Sequence, residues 1–460
     1  MRLAAALGLV CAALGCAHYT PAPLDPAGTA AAYAARRLDA PDLRAWLATQ
    51  GVTDTLWTSA SLGLVALYYQ PALARARAAW DAAQAGERTA GARPQPGAEG
   101  EVGHTVSRSG TEPPWIGRIL GIFTLELGGK RAARIAVARA QTAVAETDLE
   151  ETAWRSVRAV RAAAVELAGA EQRLADADAT TKRVDSFAAR LQRLYDQGTL
   201  GRSELAAVES ERADARAAAQ RERAGVEAAR VALAGSAGLP PAALDGQYLG
   251  REVPPACVTG APDSLAAVAL RRRPDVGRGL AEYGVAEGEL RMAVAGSYPD
   301  LAFGPGIDWD RGDTRWVLSL GLPRIPLNGN RGPIAEAMAR RREAAARFAE
   351  RQEGVLAEVS GATAGCRTAL ADVDGADSVR EATERQAGLA RAAYERGEIG
   401  ATALEPLELA ETRALRDLHA ARQRLAAAGL ALETATGEWP PGSVRWPDPR
   451  EPVKPEEGSR

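Results

Sequence analysis

Tyr195-Asp-Gln-Gly198-Thr-Leu200-Gly201 and, 199 residues later, Tyr394-Glu-Arg-Gly397-Glu-Ile399-Gly400 are one turn written twice. The glycines supply the left-handed backbone that a tight chain reversal requires. Helix-forming sequence flanks both copies. From Arg131 to Leu194 there is no proline and a single glycine, which predicts one continuous helix of roughly 95 Å at 1.5 Å rise per residue. Ile334 to Tyr394 is a similar proline-free stretch. Val184, Phe187, Leu191 and Leu194 step by three and four, and Leu418, Leu425 and Leu432 by seven, the spacings of coiled-coil seams. Helices this long cannot bury a face inside one globule, so they pack on each other or on other subunits.

Working outward from the turns, the duplication extends over most of the chain. Ser61-Leu62, Val65 to Leu67 and Pro71 recur 203 residues on as Ser264-Leu265, Val268 to Leu270 and Pro274. Ala90-Gly91 with Pro94 recurs as Ala295-Gly296 with Pro299, Leu127 with Gly129 and Arg131 as Leu327 with Gly329 and Arg331, and Gly238 as Gly437. An ordered series of matches marks an internal repeat. Each half then reads helix, extended hairpin, long helix, tight turn, long helix. The expected divisions are an N-terminal segment 17–57, a first repeat 58–240 with a β-hairpin about 99–127, a linker 241–261, and a second repeat 262–438 with a β-hairpin about 301–323. The tail 439–460 is rich in Pro and Glu and reads as disordered.

Pro and Gly clusters after residue 90 and after residue 296 end the first helix of each half. In the second half, Leu301 to Asp310 and Arg315 to Leu322 flank Asp310-Arg311-Gly312-Asp313, a hairpin turn bracketed by Trp309 and Trp316. In the first half Ile116 to Leu127 is apolar, while its partner Glu99 to Arg108 is polar and a weak strand. About ten residues suffice for a tilted membrane strand; an ordinary soluble hairpin is the alternative. Past the turns, Ser203 or Thr402 is a candidate N-cap, and Pro406 is read as a first-turn proline.

Composition narrows the classes. Aromatic residues are 5% of the 460 and much of the apolar share is alanine, which favours helices at close approach over a thick core. Net charge is −3 with both signs interleaved, which argues against nucleic acid as a partner, since that demands a basic patch. The histidines His18, His104 and His419 are scattered and read as solvated or incidental; no metal site, cofactor, phosphate loop or nucleophile–base set is expected, so the chain is not read as an enzyme. Residues 1–16 combine a basic start, an apolar run and Gly15-Cys16, an export signal rather than a spanning helix. Its end resembles a lipoprotein cleavage site with acylation on Cys16, although Ala13 stands where Leu is usual; plain secretion is the alternative. Cys257 and Cys366 form no disulfide framework and are expected to be unpaired small hydrophobes. No later segment carries 18 uninterrupted apolar residues, so any membrane crossing would need a closed β-barrel.

Taken together, these motifs resemble the TolC-like outer-membrane factor family over about residues 16–440. The resemblance rests on Cys16 followed by Pro21 and Pro23, on Arg271-Arg272-Arg273-Pro274-Asp275-Val276 with Ser297-Tyr298-Pro299-Asp300-Leu301 after it, and on the paired turns with Leu205 and Leu404 downstream. It implies a mainly α fold with a small β part: a homotrimer whose α-helical barrel continues into a twelve-stranded transmembrane β-barrel, anchored in outer-membrane lipid. It also implies a passive channel of a tripartite efflux pump or type I secretion system, working with a periplasmic adaptor protein and an inner-membrane transporter. The turn residues Tyr195, Gly198, Leu200, Gly201, Tyr394, Gly397, Ile399 and Gly400 would then form the periplasmic tip and the adaptor contact. Glu204 matches an acidic position near the pore aperture; its counterpart is Ala403, with Glu405 and Glu408 close by, and all three are equally readable as glutamates favoured by the helix dipole. Pro326 to Ala337, including Arg331 and Gly332, resembles the heavy-metal efflux subgroup, though no Cys, His or Met cluster could hold a metal. The competing reading is a periplasmic coiled-coil structural or adaptor protein without a pore.

Overall fold

The computed structural model describes residues 19–437 except 54–55, 107–110, 248, 251–255 and 258–259. The expected signal peptide, Cys16 and the 439–460 tail therefore lie outside the described residues. Two short helices, α1 (Pro26–Ala34) and α2 (Pro41–Thr49), precede two halves with the same element order. The first half holds α3 (Ser59–Tyr69), α4 (Pro71–Gly91), β1 (Gly97–His104), β2 (Trp115–Leu125), α5 (Lys130–Asp196) and α6 (Arg202–Ser236). After a 3-10 turn at Pro241–Leu244, the second half holds α7 (Pro262–Arg272), α8 (Pro274–Ala295), β3 (Leu301–Asp310), β4 (Asp313–Gly321), α9 (Arg331–Glu395) and α10 (Ala401–Ala435). The fold is mostly helical with one small sheet.

The expected single helix at the start of each half is two. Proline pushes the preceding residue out of the helical region, and Gln70 (φ −68°, ψ 120°) and Arg273 (φ −72°, ψ 125°) are both extended. Both long helices then reverse through the same turn. The Thr199 amide donates to the Leu194 carbonyl at 3.0 Å and the Glu398 amide to the Ala393 carbonyl at 2.9 Å, the six-to-one bond of a Schellman motif. Gly198 and Gly397 take the left-handed position, at φ 72° and 74°. The next helices start two residues earlier than a Ser203 or Thr402 cap requires: Gly201 and Gly400 occupy the N-cap positions. Pro406 is the sixth residue of α10 rather than a first-turn proline, so the Thr402 carbonyl loses its usual amide donor.

The four strands form one antiparallel sheet in the order β1-β2-β3-β4, with β2 pairing β3 across the two halves. Its outer edges, β1 and β4, are unpaired in the chain. The main apolar core lies where the middle of α5 meets the linker end of α6, with Leu43, Leu47, Trp57, Leu62, Val65, Val160, Leu233 and Leu244 in it. Two smaller clusters sit under α7 (Ala269, Val276, Val355, Val359, Ala435) and near the first turn (Ala188, Leu191, Leu205, Val208).

The cysteine expectation is corrected. Cys257 and Cys366, 109 residues apart, are joined in a disulfide. The linker brings Cys257 against the middle of α9, where Cys366 is buried, a proximity that no sequence spacing reveals.

Candidate functional site

Three regions carry side-chain arrangements that plain packing does not require: the sheet, the junctions at the foot of each helical hairpin, and the tip with the seam that leads to it.

Directly paired residues of an antiparallel sheet share a face, and faces alternate along each strand. The observed registers Gly100↔Ile119, Ile119↔Ile307 and Ile307↔Trp316 define one face. It carries Val102, Trp115, Ile119, Phe123, Leu125, Leu301, Phe303, Ile307, Trp309, Trp316, Leu318 and Leu320. The rings of Phe123 and Phe303 stack on it at 5.3 Å. This apolar face is uncovered: Trp316 is 85% exposed, Leu318 64% and Leu320 68%. Glu101↔Arg118, Arg118↔Asp308 and Asp308↔Arg315 define the opposite face. Every charged residue of the four strands (Glu99, Glu101, Arg118, Asp308, Asp310, Asp313 and Arg315) lies on it. Across the strands the row Glu101, Arg118, Asp308, Arg315 alternates in sign, with Arg118 3.6 Å from Asp308. The polarity of β1 thus comes from one face alone. Its other face is Ala98, Gly100, Val102 and His104, with only one sizeable apolar residue to stand out in the sequence.

At the junctions, the motif Arg272-Arg273-Pro274-Asp275 resolves into separate jobs. Arg272 is exposed. Arg273, 6% exposed, grips Asp275 with Nε at 3.0 Å and Nη2 at 2.7 Å, pairs with Glu358 on α9, and reaches the Ala435 carbonyl at the end of α10 at 3.4 Å. Burial opposes its charge, but the bonds to Asp275 and Glu358 outweigh it and leave the guanidinium pKa raised. Burial likewise opposes the Asp275 carboxylate, and its bonds to Arg273 overcome that and hold its pKa down. The counterpart before Pro71 is Gln70, whose amide donates to the Gly235 and Ser236 carbonyls at 3.0 and 2.7 Å. The same position closes the same helix end in both halves. Sequence reasoning missed Gln70, although its place before the repeated proline was the available signal. Pro299 leads into β3, and Asp300 beside it binds Lys130 at 2.7 Å. Arg331 and Gly332 are exposed at the start of α9.

At the tip, Tyr195 and Tyr394 are equally exposed, and Arg190 lies over the Tyr394 ring at 5.6 Å. Leu200 packs on the cluster of Leu191 and Leu205, while Ile399 is half-buried. Gly198, Gly201, Gly397 and Gly400 are exposed. The three glutamates expected near an aperture occupy three different settings. Glu204 caps its helix, accepting from the Gly201 amide at 3.1 Å. Glu408 bridges Arg183 at 2.9 Å and Arg391 at 3.0 Å. Glu405 is 2% exposed, and burial, then the Glu408 charge, pushes its carboxyl up to about 7. His419 is part-buried rather than solvated: its Nδ1 sits 2.8 Å from Asp176 and 3.1 Å from the Gln172 amide.

Among the described residues no group of three or more His, Cys, Asp or Glu is placed to hold a metal ion, and no helix is long and apolar enough to cross a membrane. No protein-family model and no curated protein matches the sequence. Solved structures do. The outer membrane protein VceC from Vibrio cholerae superposes with a TM-score of 0.69 at 19% identity, over 82% of this chain and 96% of that one. The outer-membrane channel OprN gives 0.70 at 20% identity, over 92% of this chain and 98% of that one. The outer membrane channel CmeC from Campylobacter jejuni gives 0.66 at 15%, over 82% and 85%.

Proposed function

From the fold that this chain shares with solved outer-membrane channels, we propose that it is an outer-membrane channel, the passive exit duct of a tripartite efflux pump or type I secretion system. The observation that carries this reading is the division of the sheet into an exposed apolar face and a face holding every strand charge. A soluble hairpin pair would not leave Trp316, Leu318 and Leu320 in water. A membrane barrel needs such a face toward lipid and a polar one toward its lumen. Free edges on β1 and β4 call for neighbours. Three copies joined edge to edge give a twelve-stranded barrel, wide enough to keep a lumen. The long helices α5, α6, α9 and α10 then continue it as a helical tunnel into the periplasm.

In this reading the turns around Gly198 and Gly397 form the periplasmic tip and dock an adaptor protein, with an inner-membrane transporter beyond. Glu204 is the carboxylate placed at the aperture, while Glu405 and Glu408 act inside the helix seam. Acylation at Cys16 would add an anchor in outer-membrane lipid, and the selection of substrate, metal ions included, belongs to the transporter. The pore-free coiled-coil alternative leaves the apolar sheet face without a purpose. The test is single-channel recording of purified protein in a planar bilayer. Discrete conductance steps are expected; silence from folded trimers, persisting in variants with a widened tip, would overturn the channel and leave the coiled-coil reading.

A further inference from the structure

The seam between α5 and α10, where the first half meets the second, is a ladder of polar pairs in antiparallel register. Moving toward the tip come Arg161 with Glu433, the Gln423 amide at 3.5 Å from the Val165 carbonyl, His419 with Asp176 at 2.8 Å and Arg183 with Glu408 at 2.9 Å. The next rung falls on Arg190 and Glu405: Arg190 lies 29 residues beyond Arg161, and Glu405 lies 28 before Glu433. That rung is not formed. Nη1 of Arg190 and Oε1 of Glu405 are both buried without a hydrogen-bond partner. Each such orphan costs free energy, more so when charged, and these two are of opposite sign at one register position.

The groups around Glu405 are spoken for. On its own helix stands Glu408, held by Arg183 of α5 and Arg391 of α9. Arg391 also binds Glu411. On α6 stands Glu211, 3.5 Å from Arg413. Arg183 and Arg190 favour ionisation of Glu405, while burial, Glu408 and Glu211 oppose it. Arg190 rests on the Tyr394 ring of α9 and has a nitrogen to spare. Pro406, the next residue, frees the Thr402 carbonyl of its helix bond, so the first turns of α10 are the loosely tied part of the seam.

We propose that Arg190 and Glu405 form a proton-controlled latch between the two halves at the tip: a protonated carboxyl leaves the last rung open, and an ionised one closes onto Arg190. The proton goes to solvent and no other group changes charge. The carboxyl is raised to about 7, so the rung is open below that pH and closes as pH rises through it. Closure draws the start of α10 against α5.

The proposal of a gated tip rests on the channel reading, so the test has two arms. In planar bilayers, open probability of the trimer should fall several-fold between pH 5.5 and 8.5. Glu405→Gln should hold the low-pH level throughout, and Arg190→Gln should lose the step. Independently of conduction, a double-mutant cycle of the same two substitutions should show coupling of about tenfold in the unfolding constant at pH 8.5 and none at pH 5.5. Absence of coupling at both pH values, or a pH step that survives in Glu405→Gln, overturns the latch. Coupling with a silent channel keeps the latch and removes the pore.

Discussion

Single residues at the helix junctions hold the two halves in shape. Arg273 is the clearest case, since it ties the start of α8 to α9 and to the end of α10. Arg273→Leu leaves the buried side of Asp275 without its cation and the Ala435 carbonyl without a donor; a loss of about 3 kcal/mol is expected, read as a lower denaturant midpoint of the solubilised protein. Lysine at the same position restores charge but not the two-point grip on Asp275, so it should recover only part. The sequence announced this residue through its motif, and the resemblance named it, but neither said that it is a structural clasp rather than a surface signature. Glu405 is buried, where an acid near a turn reads as exposed from sequence, because α10 packs against α5.

Among the elements, the sheet was the least legible and is now the most informative. Leu301–Asp310 stood out because large apolar residues alternate with small and acidic ones. β1 did not, because Ala98 and Gly100 alternate with Glu99 and Glu101, and small residues give no apolar signal. Pairing with β2 supplies what β1 lacks. The two faces predict opposite responses to one substitution. Arginine at Leu318 should cost about 2–4 kcal/mol near the middle of a bilayer and reduce assembled, heat-modifiable trimer on gels. Arginine at the neighbouring Ser319, on the charged face, should assemble normally; equal tolerance at both sites would remove the lipid assignment. The turns make a separate prediction. Valine at Gly198 and Gly397 meets left-handed backbone, costing about 1–2 kcal/mol at each site. Export should fall while trimers still form, which a transport assay alongside a trimer gel would distinguish from collapse.

At the scale of the whole molecule, the duplication was legible because turns and prolines repeat at fixed offsets, and the element order of the structure follows it. The seam that joins the halves was not. Its pairs join distant stretches of one chain, 243 residues apart for His419 and Asp176, and heptad leucines show that a helix packs without showing on what. The halves are also unequal in their cores. The first has a large apolar cluster built with α2 and the linker, whereas the second rests on a small one and on the Arg273 clasp.

The bond between Cys257 and Cys366 adds a topology that the repeat does not have. It closes the chain into a covalent ring, and β3 and β4 lie inside that ring while β1 and β2 lie on a tail outside it. A backbone cut anywhere in the second hairpin therefore releases nothing, whereas a cut in the first hairpin severs the molecule. A protease-recognition loop inserted between Arg311 and Gly312 would display this on intact cells. Cutting from outside should leave one band of full mass until thiol is added, and two bands after; the same loop placed between the first pair of strands should yield two bands at once.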